Sequence, residues 1–191
     1  MDIALITQLI NSHSSSRAPL ELAKNFALNN KVTIYSYPDR NDKNLIANLK
    51  KLNIKVILLP DLGGSLSNQI KNTVSLAIML NKANHDIISS HCLLPLFSAA
   101  WFSQKPTVST YYGTQQNTVA EKTFPKKMTA KDILMEKVLN LIIFFMQWLI
   151  VNTASKTVTI SNYAKGEAKK KYHRKLKVIP LGSISISLKN G

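Results

Sequence analysis

Short apolar runs closed by turn-forming residues alternate with stretches of helical periodicity along almost the whole chain. Residues 3–10 form an apolar run broken only by Thr7 and Gln8, followed by a polar loop over 11–17. Pro19 suits a first helical turn, and Leu20, Leu22, Ala23, Phe26 and Ala27 fall on a helical face behind it. Asn29-Asn30 marks a helix end, since Asn tolerates the left-handed conformation. Residues 32–37, rich in β-branched and aromatic side chains, then predict a second strand. The pattern repeats: a helix over 42–52, a strand over 55–59 ended by Pro60, a Gly63-Gly64 loop, and a helix over 66–82. A strand over 86–90, a short helix over 95–102 and a strand over 107–111 come next.

Beyond a polar, basic loop reaching Lys127, a long helix is predicted over 133–151. A strand over 156–160, a helix over 162–172 capped by Ser161, and a last strand over 177–179 complete the series before Pro180-Leu181-Gly182. The run Val56-Ile57-Leu58-Leu59 is apolar on both faces, as a parallel sheet covered on both sides requires. Alternating β and α segments with short connections predict one doubly wound α/β domain, Rossmann-like, with a mainly parallel sheet and helices on both faces. The domain is expected over 1–182, with 183–191 an interdomain linker or tail.

The 133–151 segment departs from the amphipathic pattern. Its second half, 139–151, is apolar except for Asn140 and Gln147, which lie seven apart on one narrow stripe, and Thr129 with Asp132 forms a capping box ahead of it. At 1.5 Å per residue the segment reaches ~28 Å, close to a bilayer core. Glu136 and Lys137 near its start argue against a full span. A buried or interfacial helix is the favoured expectation, with a true transmembrane span and a docking face for a missing domain as the alternatives.

Composition adds two constraints. Hydrophobic residues make up 45% of 191, a globular share, and the single Cys92 excludes an intramolecular disulfide. The start, Met1-Asp2-Ile3, lacks the cationic and small-residue features of a signal peptide, so a cytoplasmic location, peripheral at the inner membrane face, is expected. The net charge is +15 and uneven: residues 122–177 hold 13 Lys or Arg against 3 Asp or Glu, and the remaining 135 residues hold 12 against 7. Lys126, Lys127, Lys165, Lys169, Lys170, Lys171 and Arg174 are candidates to face an anionic membrane, with a solvated lysine-rich surface as the plain alternative. Nucleic acid is not an expected partner, because no motif of a known nucleic-acid module occurs.

Candidate chemistry lies in the loops after strands, where ligands bind in open parallel sheets. In the loop 11–17, serine hydroxyls and backbone N–H groups before a helix can hold phosphate, and Arg17 can pair with it; a serine-capped surface loop is the equal alternative. The glycine fingerprint of a dinucleotide site is absent, so no nicotinamide cofactor is indicated. His91, at a strand end, can exchange hydrogen bonds with a sugar hydroxyl or serve as a structural histidine. Tyr112 and Gly113 offer a phenol and a flexible backbone in the next loop. The four histidines show no metal-ligand spacing, so no metal is expected. No catalytic triad is present. Asp86 opens its strand and faces the opposite edge.

Taken in order, several segments resemble the N-terminal domain of family-4 glycosyltransferases, retaining enzymes built from two Rossmann-like halves in the GT-B fold. They are Arg17-Ala18-Pro19-Leu20-Glu21-Leu22-Ala23, Lys31-Val32-Thr33-Ile34-Tyr35 and His85-Asp86-Ile87-Ile88-Ser89-Ser90-His91. Pro106-Thr107-Val108-Ser109-Thr110-Tyr111-Tyr112-Gly113, Val158-Thr159-Ile160-Ser161-Asn162-Tyr163-Ala164-Lys165 and Val178-Ile179-Pro180-Leu181-Gly182 follow.

The resemblance implies transfer of a sugar from a nucleotide-sugar donor to a lipid-linked or glycan acceptor, without metal or other cofactor. It implies that His91, Tyr112 and Gly113 line the acceptor side, while Ser15, Ser16 and Arg17 face the donor phosphates across the cleft. No residue is assigned a catalytic role. The chain departs from the family pattern in three places: serines replace first-loop glycines, Tyr112 stands where histidine is common, and Ser183-Ile184-Ser185 replaces the usual Val-Asp. The donor-binding half, with its paired glutamates, is not in the sequence. The chain is therefore expected to be inactive unless a second domain or subunit supplies it.

Overall fold

Strand β1 (Asp2–Ile6) is hydrogen-bonded on both sides in a computed structural model that describes residues 1–12, 14–37, 41–60, 66–91, 103–113 and 129–179. On one side β1 pairs with β2 (Lys31–Ser36), which pairs with β3 (Lys55–Leu58). On the other it pairs with β4 (Ile87–Ser90), followed outward by β5 (Thr107–Tyr111), β6 (Lys156–Thr159) and β7 (Lys177–Val178). The order is β3-β2-β1-β4-β5-β6-β7 and every pairing is parallel. The expected Rossmann-like α/β domain is therefore the fold that forms.

Alternation along the strands divides the core into layers. Leu5, Val32 and Ile34 point to one face, where they pack with Leu20 and Ala23 of α1 (Ser14–Ala27) and Leu49 of α2 (Lys43–Lys51). Ala4, Ile6, Tyr35 and Ile88 point to the other, against Leu76, Ala77 and Leu80 of α3 (Leu66–Lys82). Each large aliphatic side chain withdrawn in this way contributes roughly 1.5–3 kcal/mol. A third cluster joins Tyr111 of β5 to Val151 of α4 (Ala130–Thr153) and to Ala164, Ala168 and Tyr172 of α5 (Asn162–Tyr172).

The predicted caps at Thr129 and Ser161 form, and Asp42 and His173 close two further helix ends. Asp42 caps α2 through the backbone N–H groups of Asn44 and Leu45, at 2.8 and 3.1 Å. Thr129 and Asp132 form the reciprocal capping box of α4, whose hydrogen bonds hold the Asp132 carboxyl below its usual range. Ser161 accepts from the N–H of Ala164 at the start of α5. His173 ends α5 in the left-handed conformation, with φ of 54°.

Several expectations are corrected. α1 begins at Ser14, so Ser14–Arg17 is its first turn rather than loop, and Pro19 stands inside the helix, where it removes one backbone donor. β3 is an edge strand with Leu58 42% exposed, so its continuous apolar run does not report burial on both faces. The helix predicted over 133–151 is longer and mostly uncovered: only Ile143, Gln147 and Val151 are buried among its described side chains. The Gly63-Gly64 loop, the helix at 95–102, the Pro180-Leu181-Gly182 corner and the tail at 183–191 lie outside the described residues.

Gln147 shows how the third cluster is tied together. Its Nε2 donates to the Gly113 carbonyl at 3.2 Å, and its Oε1 accepts from the Tyr172 hydroxyl at 2.9 Å, all within buried surroundings. Burial chiefly, with Tyr111 and Glu167 adding, pushes the Tyr172 phenol above its usual range, so it remains a donor. Replacing Gln147 with Leu strands a buried carbonyl and a buried hydroxyl. We expect Gln147→Leu to cost about 2–3 kcal/mol, read as a lower urea midpoint with unchanged m-value, against about 1 kcal/mol for the cap variant Ser161→Ala.

Candidate functional site

The carboxyl ends of β1 and β4 part company where the strand order reverses, and that edge carries the candidate site. The β1–β4 ladder runs to the rim, with the N–H of His91 donating to the Ile6 carbonyl at 2.9 Å. His91 is thereby fixed by backbone at the first residue past β4, and its ring is 6% exposed.

Two hydroxyls hold the imidazole. Nε2 lies 3.0 Å from Ser89 Oγ and Nδ1 lies 2.9 Å from the Tyr112 hydroxyl. The two rings sit 6.2 Å apart and tilted by 57°. Burial lowers the His91 pKa to about 4, so the ring is neutral at physiological pH. A neutral imidazole donates through one nitrogen and accepts through the other, so one hydroxyl donates to the ring and the other receives from it. The result is a polarised Ser89–His91–Tyr112 chain able to pass hydrogen-bond direction to a hydroxyl of a ligand.

Gly113 follows with φ of 118°, a conformation that side chains rarely adopt, and a Cβ there would meet Glu167 Oε2 at 3.3 Å. Its carbonyl is held from behind by Gln147. Glycine at this place lets the backbone turn away from β5 while α5 packs closely beneath it.

Of the predicted site residues, His91, Tyr112 and Gly113 come together at the switch point. Arg17 is exposed on the first turn of α1, after β1 and on the same sheet edge. Ser15 and Ser16 share that turn. Lys165, Lys169, Lys170 and Arg174 are exposed on or just after α5, and Lys171 is half-buried. Arg174 Nε donates to Asn152 Oδ1 of α4 at 2.7 Å. Lys126 and Lys127 lie outside the described residues. No group of three or more His, Cys, Asp or Glu able to hold a metal occurs among the described residues.

No role was assigned to Ser89, although residues two apart on a strand share a face, nor to Ser90 with Ser109. These last are Cα partners on β4 and β5, and both bury hydroxyls without a hydrogen-bond partner. Gln147 did carry a signal, as a polar residue in an apolar helix. Asp86 lies at the amino edge, as expected, accepting from the Asp2 N–H at 2.7 Å.

A seven-stranded parallel sheet with its polar cluster at the switch point is a Rossmann-like doubly wound domain. The model of Glycosyltransferase Family 4 matches residues 16–183, and the chain belongs to that family. No curated protein matches it. Among solved structures it is similar to Alr3699/HepE from Anabaena, in complex with UDP and glucose, with a TM-score of 0.64 at 15% identity over 96% of this chain and 45% of that one. It is also similar to a glycosyltransferase from Rickettsia africae, with a TM-score of 0.59 at 17% identity over 94% of this chain and 42% of that one. A UDP-N-acetylglucosamine 2-epimerase has a TM-score of 0.58 at 15% identity, over 93% of this chain and 47% of that one. The chain thus spans less than half the length of these structures.

The His91 environment sets a pH dependence. The unfolded chain protonates its histidine near pH 6.5 and the folded one only near 4, so the unfolded state binds more protons in that window. Stability is therefore full above about pH 6.5 and falls as pH drops towards 4, by ~3 kcal/mol from this residue. Comparing denaturation midpoints of the native chain and His91→Gln from pH 7 to 4 should show the shallower slope in the variant.

Proposed function

We propose that this chain is the acceptor-binding half of a retaining glycosyltransferase, acting with a second domain or subunit that binds the nucleotide-sugar. The acceptor is a lipid-linked or glycan hydroxyl, and the setting is the cytoplasmic face of a membrane. The observation that carries the reading is the neutral, buried His91 between Ser89 and Tyr112 at the switch point of a family-4 domain.

An acceptor hydroxyl must be positioned and relieved of its water before attack, and it must exchange hydrogen bonds as its proton departs. A fixed imidazole–phenol pair does this without introducing a charge that would need solvation. Tyr112 presents the outer hydroxyl, and His91 fixes its orientation from within. Arg17, with Ser15 and Ser16 in the first turn of α1, faces the donor phosphates across the cleft, where a helix N-terminus and a guanidinium both favour negative charge. Stabilising the sugar transition state falls to the donor half, to which the family resemblance assigns the paired glutamates.

A second reading, a non-enzymatic basic membrane-associated module, is favoured by the exposed apolar surface of α4 beside the basic α5. Sugar transfer separates the two. The 191-residue chain alone should transfer nothing from a nucleotide-sugar, and adding a family-4 donor-binding half should restore transfer. In that reconstituted enzyme Tyr112→Phe should reduce kcat/KM about fivefold to tenfold, the worth of one hydrogen bond. Transfer by the chain alone, or an unaffected Tyr112→Phe, contradicts the proposal.

A further inference from the structure

Helix α4 carries two faces that the fold treats differently. With 100° per residue, Ile143, Gln147 and Val151 share the side turned to the domain, and all three are buried. Leu134, Val138, Leu141, Phe145 and Trp148, spaced by four and three residues, fall on the opposite side. Leu134, Leu141 and Phe145 are 63%, 67% and 55% exposed, and Val138 and Trp148 are also exposed. Met135 and Ile142 widen this arc. Between residues 130 and 142 no residue is fully buried, although Asn140 withdraws its Oδ1, so the amino-terminal half of α4 packs only lightly on the domain. A contiguous apolar strip of this kind is uncommon on a surface facing only water.

Charge and aromatic placement at its ends point to what covers it. Asn152, one turn beyond Trp148 on the same side, holds the Arg174 guanidinium at 2.7 Å, so a cation sits where the strip ends. Trp148 stacks on Phe145, with ring centroids 6.1 Å apart and 12° between planes. Lys131 opens the helix and Lys137 borders the apolar arc, both exposed, while Lys165 and Lys169 stand four apart on the neighbouring α5. An apolar strip with an amphipathic indole at its end and a cationic border suits the boundary between lipid headgroups and acyl chains.

We propose that α4 is a monotopic membrane-binding element that lies in the surface of an anionic bilayer. Its apolar arc enters the acyl boundary, while Lys131, Lys137 and Arg174 engage lipid phosphates. By length and composition α4 is the one helix among the described residues that would suffice to cross a membrane. It lies flat instead, because Gln147 and Val151 hold its other side to β5 and α5. The inference names the membrane-side partner of the proposed acceptor-binding half and rests on that reading only for its biological setting.

The test is flotation of the full chain with phosphatidylcholine vesicles, with and without one quarter phosphatidylglycerol. The chain should float with the anionic vesicles, and less in high salt. The double variant Leu141→Asp/Phe145→Asp alters only exposed positions, so it should keep the native circular dichroism spectrum while binding falls at least about tenfold. Arg174→Gln should lower the partition coefficient about fivefold. Failure of the native chain to float with anionic vesicles overturns the proposal, as does unchanged flotation of the double variant. Concentration-dependent self-association of the native chain that the double variant abolishes, with no flotation, assigns the strip to a second copy instead and also overturns it. Sugar transfer by the reconstituted enzyme to a soluble acceptor reads the acceptor-site proposal separately, so either can fail alone.

Discussion

Hydrogen bonding of β1 to β2 on one side and β4 on the other sets the position of everything else. The chain leaves β1, winds outward through β2 and β3, and must return past its own starting strand to begin β4. At that return the loops after β1 and after β4 head apart, and the carboxyl edge opens between them. The bond from the His91 N–H to the Ile6 carbonyl carries the ladder to the rim, so a side chain one residue past β4 is placed with the accuracy of the sheet itself. If β4 slipped by one residue against β1, His91 would point to the other face and the crevice would lose its polar wall.

His91 in that wall is almost wholly withdrawn from solvent. Burial makes protonation of His91 unfavourable, and the ring is satisfied by two neutral hydroxyls rather than by a carboxylate. The opposite end of the sheet shows the contrasting arrangement. There His85 Nδ1 lies 2.6 Å from Asp2 and Nε2 lies 2.9 Å from the Tyr35 hydroxyl, a histidine paired with an acid and tying the first strand to the turn before β4. The same residue type serves as a strand clamp at one edge and as a neutral relay at the other, according to its neighbours. Behind the relay, Gln147 links the Gly113 carbonyl to Tyr172, so the crevice backbone is braced by α4 and α5. The helix that braces the site on one side thus exposes its apolar arc on the other.

Much of this was legible in the residues. Short apolar runs and helical patterns located the strands and helices of the described chain, and the predicted capping residues Thr129 and Ser161 act as their chemistry requires. His91, Tyr112 and Gly113 were legible as strand-end residues, because the parallel order places such ends on one edge. Ser89 was assigned no role, although its two-residue spacing from His91 puts both on one strand face. The start of α1 was misjudged because Pro19 is a stronger local signal than the serines before it, although a helix that begins earlier tolerates it. Burial was misjudged at β3, and at α4 only the buried half of the expectation fails, for a shared reason. Apolar composition reports what a segment can bury, while an edge position or an overhang decides what it does bury.

The most direct measurement of the central claim is the imidazole NMR spectrum of His91, assigned by comparison with His91→Gln, during titration of the chain at neutral pH. Addition of a glycan acceptor should shift the His91 ring nitrogens saturably, because the Tyr112 hydroxyl changes partner, while a nucleotide-sugar alone should leave them in place. Saturable movement of the His91 nitrogens by the nucleotide-sugar, with none from any acceptor, would contradict the assignment of this crevice to the acceptor.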